Sequence, residues 1–318
     1  MLRYIEFPAP RRAVMARADL PRCGPGEALV ETTSSGVSMG TERMWLEGSA
    51  TALRSGRKSY PYRPGYALTG RIVAAGADFA AAPPGARIFA MKPHGSHAVV
   101  GADDLWLPLG DDTGDDDALA IALTATALHA VERAAPCGGD AVAVAGLGVL
   151  GLLLVQVLAA TEAGPVVALT GSPDKRDVAR GHGATLALSH DEAARRTLPP
   201  IRTWFECSGV AANLARLLTL ARGGGEIMLA GFYTETLSLD FEPIFAHELS
   251  IRAVRGIGDG ASRRRNLARA AALIASGAVR MPRVKAQRFD ADDFAEAYRL
   301  VADRERSRAA PRVVLDWR

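Results

Sequence analysis

Cysteine is scarce in this chain of 318 residues, which contains only Cys23, Cys137 and Cys207. Three cysteines this far apart supply neither a disulfide framework nor a zinc-ligand cluster, and they fit reduced thiols in a cytoplasmic protein. Charge of one sign is also lacking, because 38 Lys and Arg nearly balance 35 Asp and Glu. Without a basic run interleaved with aromatic residues, the sequence lacks the electrostatic pattern of a nucleic-acid-binding protein.

A targeting or membrane segment is not expected either. The amino terminus, MLRYIEFPAPRR, has no apolar core of the length that a signal peptide needs. Residues 141–160 approach the roughly 20 apolar residues that cross a bilayer. Their β-branched start and their glycines favour a buried strand, a glycine turn and a buried helix instead. We therefore expect a cytoplasmic protein with no membrane partner.

Two domains are predicted, as is usual for a chain of this length. Within residues 119–256, short β-branched runs alternate with helical stretches and make six strands, which predicts a Rossmann doubly wound parallel sheet of the α/β class. Residues 1–118 contain short strands broken by Pro and Gly and predict a β-rich domain. We expect residues 257–318 to return to that first domain and complete it.

A glycine motif predicts a dinucleotide site. The segment AGLGVLG places Gly146, Gly148 and Gly151 in the G-x-G-x-x-G spacing, after a predicted strand and at the start of a predicted helix. Gly146 would make the tight turn, Gly148 would let the backbone approach a pyrophosphate, and Gly151 would let helix and strand pack. The helix amino terminus would face the phosphates, which adds Val149 and Leu150 to the expected cofactor-binding residues. The alternative is a packing turn without a ligand.

The end of the second strand predicts which dinucleotide binds. An NAD site usually has an Asp or Glu there, which accepts hydrogen bonds from the ribose hydroxyls. The segment ALTGSPDKR offers Thr170, Ser172, Lys175 and Arg176 instead, and these donors and cations suit a 2′-phosphate. NADP is therefore the predicted cofactor. NAD stays possible, because Lys175 and Arg176 could equally belong to an ordinary exposed helix turn.

This order of domains resembles the medium-chain dehydrogenase/reductase superfamily, whose catalytic domain is GroES-like. The motifs SGVSMGTE, YPYRPGY, GGEIMLAGFYT and the terminal LDW resemble the bacteriochlorophyllide a dehydrogenase subfamily, which oxidises a hydroxyethyl side chain of a chlorin to acetyl. The segment GSPDKR resembles the NADPH-dependent quinone reductase branch. The resemblance implies that the backbone around Cys207, Ser208, Ala230 and Gly231 lines the cofactor cleft, at the carboxyl ends of the fourth and fifth strands.

The resemblance also implies where a catalytic metal would be bound. In zinc alcohol dehydrogenases of the superfamily, a cysteine ligand and a His-Glu pair stand where this chain has Ser38 and Tyr66-Ala67. Because zinc needs three well-placed Cys, His or carboxylate ligands, we predict a zinc-independent enzyme with no metal. We expect Tyr66 to donate a proton or hydrogen bond to the developing anion, with Ser38 and Thr41 completing the pocket. The alternative for the Ser and Thr residues is a turn in which they bond their own backbone.

Three further polar side chains near these positions could have catalytic or metal-binding roles. Glu42 could be a base or a partner that supports a catalytic side chain, but a Glu after Gly-Thr is expected to start a helix. His94 and His97 could be a ligand pair, but without a third ligand they are expected to lie in a polar strand or loop.

The predicted function is that of an NADP(H)-dependent, zinc-independent oxidoreductase that interconverts a ketone and a secondary alcohol on a small-molecule biosynthetic intermediate. One alternative is an NADPH-dependent reductase of C=C or C=N bonds in specialised metabolism, which needs no metal to polarise a carbonyl. Another is an NADPH-binding redox sensor without catalysis. The segment LSIRAVRG resembles an edge strand of the kind that pairs across a two-fold axis, so we predict a homodimer.

Overall fold

The structure, a computed structural model, describes residues 1–161, 163–309 and 312–318. Its strands are β1 (Leu2–Ala9), β2 (Arg12–Ala18), β3 (Ala28–Val37), β4 (Leu68–Ala75), β5 (Arg87–Ala90), β6 (His97–Val100), β7 (Trp106–Pro108), β8 (Ala141–Ala145), β9 (Val166–Leu169), β10 (Leu186–Leu188), β11 (Ile201–Glu206), β12 (Glu226–Leu229), β13 (Ser250–Ala253), β14 (Ala286–Asp290) and β15 (Arg312–Asp316). Its helices are α1 (Met39–Glu47), α2 (Thr51–Arg54), α3 (Asp115–Ala118), α4 (Ile121–Ala134), α5 (Val149–Ala160), α6 (Pro173–Gly181), α7 (His190–Ala194), α8 (Ala211–Leu220), α9 (Phe241–Ala246), α10 (Gly260–Ala275), α11 (Phe294–Ala302) and α12 (Arg304–Ala309).

Two compact units make up the chain. The first contains residues 1–122 and 285–318, and the second contains residues 123–284. The sequence prediction returned the chain to the first domain at residue 257, whereas α10 lies within the second unit. The reason is visible in its contacts, because Arg265 and Arg269 of α10 form ion pairs with Glu132 of α4. Gln156 of α5 also exchanges two hydrogen bonds with the backbone of Arg280, at 2.9 and 3.0 Å.

The second unit contains a parallel sheet with the strand order β10-β9-β8-β11-β12-β13. Every residue of β8 and β9 is buried, as expected for strands that are covered on both faces. The predicted doubly wound sheet is therefore confirmed. Strand β13, which comes from LSIRAVRG, lies at the edge of this sheet, and the homodimer that we expect from it stays a prediction.

The apolar run at residues 141–160 divides into β8, a glycine turn and α5, which confirms the strand, turn and helix interpretation. Helix α5 has 12 residues and ends at Ala160. The sequence pattern predicts that this helix continues to about Glu162, a residue that lies outside the described part of the chain. Among the described residues, no helix is long and apolar enough to cross a membrane.

The first unit is built around a seven-stranded sheet in which β3 has three partners. Strand β3 pairs with β4 and β6 on the amino-terminal side of the chain and with the carboxy-terminal strand β15. In the last pair, Val313 lies opposite Val37 and Asp316 lies opposite Ser34. The end of β3, which leads into the SGVSMGTE motif, is thus fixed by the last strand of the chain.

Candidate active site

Two hydroxyl side chains meet in the first unit. Ser38 follows the last residue of β3 and is the N-cap of α1, with an extended backbone. Tyr66 lies two residues before β4, and its phenol donates a hydrogen bond to Ser38 Oγ at 2.7 Å. Both residues are partly exposed. The fold therefore brings together the two residues that, by the sequence resemblance, would correspond to zinc ligands.

Thr41 joins this pair through Tyr66. Burial raises the pKa of the Tyr66 phenol because desolvation disfavours phenolate, and the negative charge of Glu42 raises it further. Hydrogen bonding with the hydroxyls of Ser38 and Thr41 lowers the pKa of Tyr66 and offsets part of that rise. Ser38, Thr41 and Tyr66 form what we call the hydroxyl cluster. A phenol with a raised pKa stays protonated at neutral pH and can donate a hydrogen bond or a proton.

Glu42 has a larger role than its sequence position predicted. It lies in the first turn of α1, as expected, but only 1% of its surface is exposed. One carboxylate oxygen accepts a hydrogen bond from the backbone N–H of Ser38 at 2.7 Å. The other accepts one from the Tyr298 phenol at 2.6 Å and lies 3.1 Å from His94 Nε2. These partners compensate for the burial of a charged group.

His94 continues this network into the core. His94 lies in a bend before β6, as expected for a loop residue, but it is fully buried. Its Nδ1 lies 2.7 Å from Ser35 Oγ, which accepts a hydrogen bond from Trp317 Nε1 at 2.8 Å. Because an indole nitrogen can only donate, the Ser35 hydroxyl can donate to Nδ1, and Nε2–H can donate to Glu42. A neutral imidazole can thus make each hydrogen bond in the series of side chains that runs from Trp317 through Ser35 and His94 to Glu42.

A carboxylate, an imidazole and a hydroxyl in this order also occur in hydrolytic triads. Ser35, however, is fully buried and its oxygen is engaged by Trp317, so no substrate can reach it as a nucleophile. The trio instead links α1, the segment before β6 and the end of β3. Gly65 allows the backbone at position 65 to lie close against the His94 ring. Its φ is +93°, and a Cβ there would lie 2.7 Å from that ring.

The donor set does not fit zinc. The two ring nitrogens of His94 are engaged by Ser35 and Glu42, and His97 instead contacts Ser96 Oγ at 3.0 Å. The two histidines therefore do not form a ligand pair. Within the part of the chain that the structure describes, no group of three or more His, Cys, Asp or Glu side chains could hold a metal ion. The hydroxyl cluster is not a substitute ligand set, since zinc sites in proteins use thiolate, imidazole and carboxylate groups.

The glycine turn of the second unit assigns a different role to each glycine. Gly146 has a φ of +87°, and a Cβ there would lie 2.6 Å from the backbone nitrogen of Ser208. A Cβ on Gly151 would lie 2.2 Å from the carbonyl oxygen of Gly146. A Cβ on Gly148, the N-cap of α5, would have no heavy atom within 4 Å. The fold thus requires the first and third glycines and leaves open space at the second.

The amino terminus of α5 is ready to bind an anion. No side chain caps this helix, so the first-turn N–H groups, which include those of Val149 and Leu150, have no intrahelical acceptor. Such groups bind phosphate through their hydrogen bonds and the positive end of the helix dipole. The geometry of the turn therefore suits the pyrophosphate predicted from the motif.

A buried carboxylate that was not among the predicted residues organises the neighbouring segments. Glu206 ends β11 and is fully buried. One of its oxygens accepts the backbone N–H of Ser208 at 2.9 Å, and also the Ser208 hydroxyl. The other accepts the N–H of Gly209 at 3.0 Å and the phenol of Tyr233 at 2.6 Å. A Glu directly after the apolar pair Trp204 and Phe205 of β11 is the signal that could have identified it.

The four residues predicted to line the cofactor cleft all lie beside Glu206. Its backbone carbonyl accepts the N–H groups of Ala230 and Gly231 at 2.8 and 2.7 Å. Burial, together with the charge of Glu206, raises the pKa of the Cys207 thiol, which therefore stays protonated. Ser208 contacts the Glu206 side chain directly. The segments after β11 and β12 are thus tied to one carboxylate, at the sheet edge where ligands of such folds bind.

The residues predicted to bind the 2′-phosphate lie in the segment after β9 and in the first turn of α6. Ser172 is the N-cap of α6, and its backbone N–H donates to Thr170 Oγ1 at 3.3 Å. Lys175 and Arg176 lie in the first turn of α6. Arg176 forms an ion pair with Glu192 at 2.5 Å, a partner that the sequence pattern did not predict. Part of the cationic character of this turn is therefore balanced within the protein.

Comparisons with known proteins agree with this architecture. The family described as zinc-binding dehydrogenase matches residues 149–276. A 2-desacetyl-2-hydroxyethyl bacteriochlorophyllide A dehydrogenase from Rhodobacter capsulatus is 30% identical over 95% of this chain and 93% of its own length. The protein of the same name from Cereibacter sphaeroides is 29% identical over 97% and 96%. The crystal structure of a zinc-binding dehydrogenase from Sinorhizobium meliloti, bound to NADP, has a TM-score of 0.81, at 22% identity over 99% of both chains.

The structural likeness shows the fold, and the full-length sequence relatives show the family. Similarity extends through both units, so it is not confined to the glycine motif. The chain belongs to the zinc-binding dehydrogenase family and is an oxidoreductase of the medium-chain dehydrogenase/reductase superfamily.

Proposed function

We propose that this enzyme is an NADP(H)-dependent, zinc-independent oxidoreductase that interconverts a ketone and a secondary alcohol. The observation that carries the proposal is the 2.7 Å hydrogen bond from Tyr66 to Ser38. These two hydroxyls stand at sequence positions where zinc dehydrogenases of the superfamily have metal ligands. A protonated, partly exposed phenol is the kind of donor that a carbonyl oxygen needs when no metal polarises it.

In the proposed mechanism, a bound nicotinamide supplies the hydride for ketone reduction. As hydride adds to the carbonyl carbon, negative charge develops on the carbonyl oxygen. Tyr66 donates a hydrogen bond to that oxygen and then its proton, which gives the neutral alcohol. Ser38 orients the phenol, and its own hydroxyl proton can stabilise the phenolate that remains. In alcohol oxidation the same groups act in reverse, and Tyr66 receives the alcohol proton only in the fraction of the enzyme that holds it as phenolate.

The names of the relatives support an alcohol and ketone pair. Both full-length relatives are named for a substrate that carries a hydroxyethyl group. Oxidation of such a group to acetyl removes one hydride from carbon and one proton from oxygen, which is the chemistry assigned to the hydroxyl cluster. A homodimer and a cytoplasmic location stay predictions.

Hydride turnover followed at the nicotinamide absorbance tests the proposed function. The substrates are a chlorin with a hydroxyethyl group, the matching acetyl chlorin, small ketones and an activated alkene. We expect turnover with an alcohol or ketone. Turnover confined to the alkene would replace the proposed function by C=C reduction.

A preference of the coenzyme site for NADPH over NADH is expected, by a factor of about 10 or more in Kd, equivalent to about 1.4 kcal/mol. The reason is that Thr170, Ser172 and Lys175 follow β9 and would offer donors and a cation to a 2′-phosphate, and the strand end has no acidic residue. Fluorescence titration of the purified protein with each dinucleotide measures the two constants. Lys175→Ala should reduce the ratio of the Kd for NADH to the Kd for NADPH. Lys285 is an exposed lysine of the first unit, and Lys285→Ala should leave this ratio unchanged. Tighter binding of NADH would overturn this assignment.

A further inference from the structure

The contact between Glu42 and Ser38 differs from ordinary helix capping. Ser at an N-cap usually accepts a hydrogen bond from a backbone N–H of the first turn. In a capping box, an acidic side chain of that turn reciprocally accepts the N–H of the N-cap residue. Here the acidic residue stands one position later: Glu42 accepts the N–H of Ser38 at 2.7 Å, while the Ser38 side chain caps nothing. The Ser38 hydroxyl is therefore left to accept the hydrogen bond from Tyr66.

The buried charge of Glu42 also acts on the nearby phenols. Burial is the largest cause of the raised pKa of Tyr66, and the Glu42 carboxylate adds to it. Burial and then Glu42 likewise raise the pKa of Tyr62 to about 12, with a smaller contribution from Tyr66. Besides burial, the groups that shift the pKa of Tyr66 are Ser38 and Thr41, whose hydrogen bonds lower it, and Glu42, whose charge raises it. Glu42 is the carboxylate among them.

Glu42 is held more firmly than a helix start requires. Tyr298 of α11 donates to it at 2.6 Å, and His94 lies 3.1 Å away with its ring fixed by Ser35. These partners come from the amino-terminal and the carboxy-terminal parts of the first unit. The carboxylate therefore has a fixed position relative to Ser38.

We propose that Glu42 is a positioning residue for the hydroxyl cluster: it fixes Ser38 so that its hydroxyl faces Tyr66, and its buried charge favours the neutral, donating phenol of Tyr66. This inference rests on the proposed function, because it concerns the same proton donor. Glu42 acts through Ser38 and Tyr66 and does not itself touch the substrate.

Two substitutions separate the position of Glu42 from its charge. Glu42→Gln keeps the length of the side chain and removes the charge, whereas Glu42→Asp keeps the charge and shortens the reach toward Ser38. Glu47→Gln, at the other end of α1 and paired with Arg304, is the matched control. NMR of protein labelled with ¹³C at tyrosine Cζ follows each phenol through a pH titration, and loss of one resonance in Tyr66→Phe assigns Tyr66. This readout needs no substrate.

In Glu42→Gln, the Tyr66 resonance should titrate at a lower pH than in the wild type. The alkaline decline of kcat should also move to lower pH in this variant. Its kcat at neutral pH should stay close to that of the wild type, because the amide oxygen of Gln can still accept the N–H of Ser38. In Glu42→Asp, the Tyr66 titration should stay close to that of the wild type. The kcat of Glu42→Asp should fall by about tenfold or more with little change in KM, since misplacing a donor weakens transition-state stabilisation more than binding. Glu47→Gln should match the wild type in both readouts.

An unchanged Tyr66 titration in folded Glu42→Gln would overturn the inference. If thermal unfolding shows that this variant does not fold, Glu42→Asp carries the test, and a wild-type kcat in Glu42→Asp would reject the positioning role. Failure of the proposed function gives a different result. In that case Tyr66→Phe keeps the kcat of the wild type, whatever Glu42 does to the Tyr66 titration.

Discussion

Replacing Tyr66 by Phe is expected to lower kcat by about a hundredfold to a thousandfold, the range found when one preorganised donor to a developing oxyanion is removed. The substitution removes the hydroxyl that donates a hydrogen bond to Ser38 Oγ at 2.7 Å and keeps the aromatic ring of residue 66. KM should change little, because the donor acts mainly in the transition state. Steady-state hydride turnover of the two proteins measures the effect.

Tyr4→Phe is the matched control, since Tyr4 lies in the first unit under the Arg63 guanidinium and outside the hydroxyl cluster. Its kcat should equal that of the wild type. A kcat of Tyr66→Phe within about threefold of the wild type would remove Tyr66 from the mechanism, because a working donor is worth far more than that.

The pH dependence of the wild type follows from the same donor. The pKa of Tyr66 is raised, by burial first, above the ordinary tyrosine value of about 10. Tyr66 is therefore protonated below that value, and ketone reduction should lose its proton donor only as the pH rises through the raised pKa. A decline of kcat on the acidic side that vanishes in Tyr66→Phe would contradict this assignment.

Alanine at each of two motif glycines should separate folding from coenzyme binding. Gly146→Ala is expected to destabilise the protein by at least about 2 kcal/mol, because a left-handed backbone and a methyl group 2.6 Å from Ser208 are both unfavourable. Gly148→Ala should change the free energy of unfolding by no more than about 1 kcal/mol, the usual effect at an N-cap. It should nevertheless raise the Kd for NADPH by about tenfold or more, since the methyl group would occupy the space left for the pyrophosphate.

Gly138→Ala provides the control for the glycine substitutions. This glycine precedes β8 in the same unit, and a Cβ there would also meet no heavy atom within 4 Å. Thermal unfolding and fluorescence titration with NADPH should both give wild-type values for Gly138→Ala. Unchanged NADPH binding by Gly148→Ala would show that the open space at Gly148 is not the pyrophosphate site.

The Rossmann unit could be predicted from the sequence because its signals are local. Strand β8 is a run of five buried residues, and Gly146, Gly148 and Gly151 follow it within six positions. Periodicity and spacing of this kind can be detected without knowledge of the rest of the fold. The end of the second compact unit could not be placed, because the position of α10 depends on ion pairs with Glu132, far away in the sequence.

The residues of the hydroxyl cluster could also be predicted from the sequence, whereas the network of side chains that supports them could not. Ser38 and Tyr66 were identified because each stands at a ligand position of a known superfamily. The network behind them joins Ser35 to Trp317 across 282 positions and Glu42 to Tyr298 across 256. A single buried acid or histidine produces no periodic pattern in the sequence. The sequence therefore predicted a helix start at Glu42 and a loop at His94, but not the burial of these two side chains.

Turnover by metal-free protein is the measurement that tests the zinc-independent mechanism most directly. The enzyme is treated with a strong chelator, its zinc content is measured by elemental analysis, and hydride turnover with an alcohol and ketone pair is compared before and after treatment. We expect the same kcat in both samples, because the donor is the phenol of Tyr66. Loss of turnover on chelation with recovery on addition of zinc would contradict the mechanism and show that the reaction depends on bound zinc.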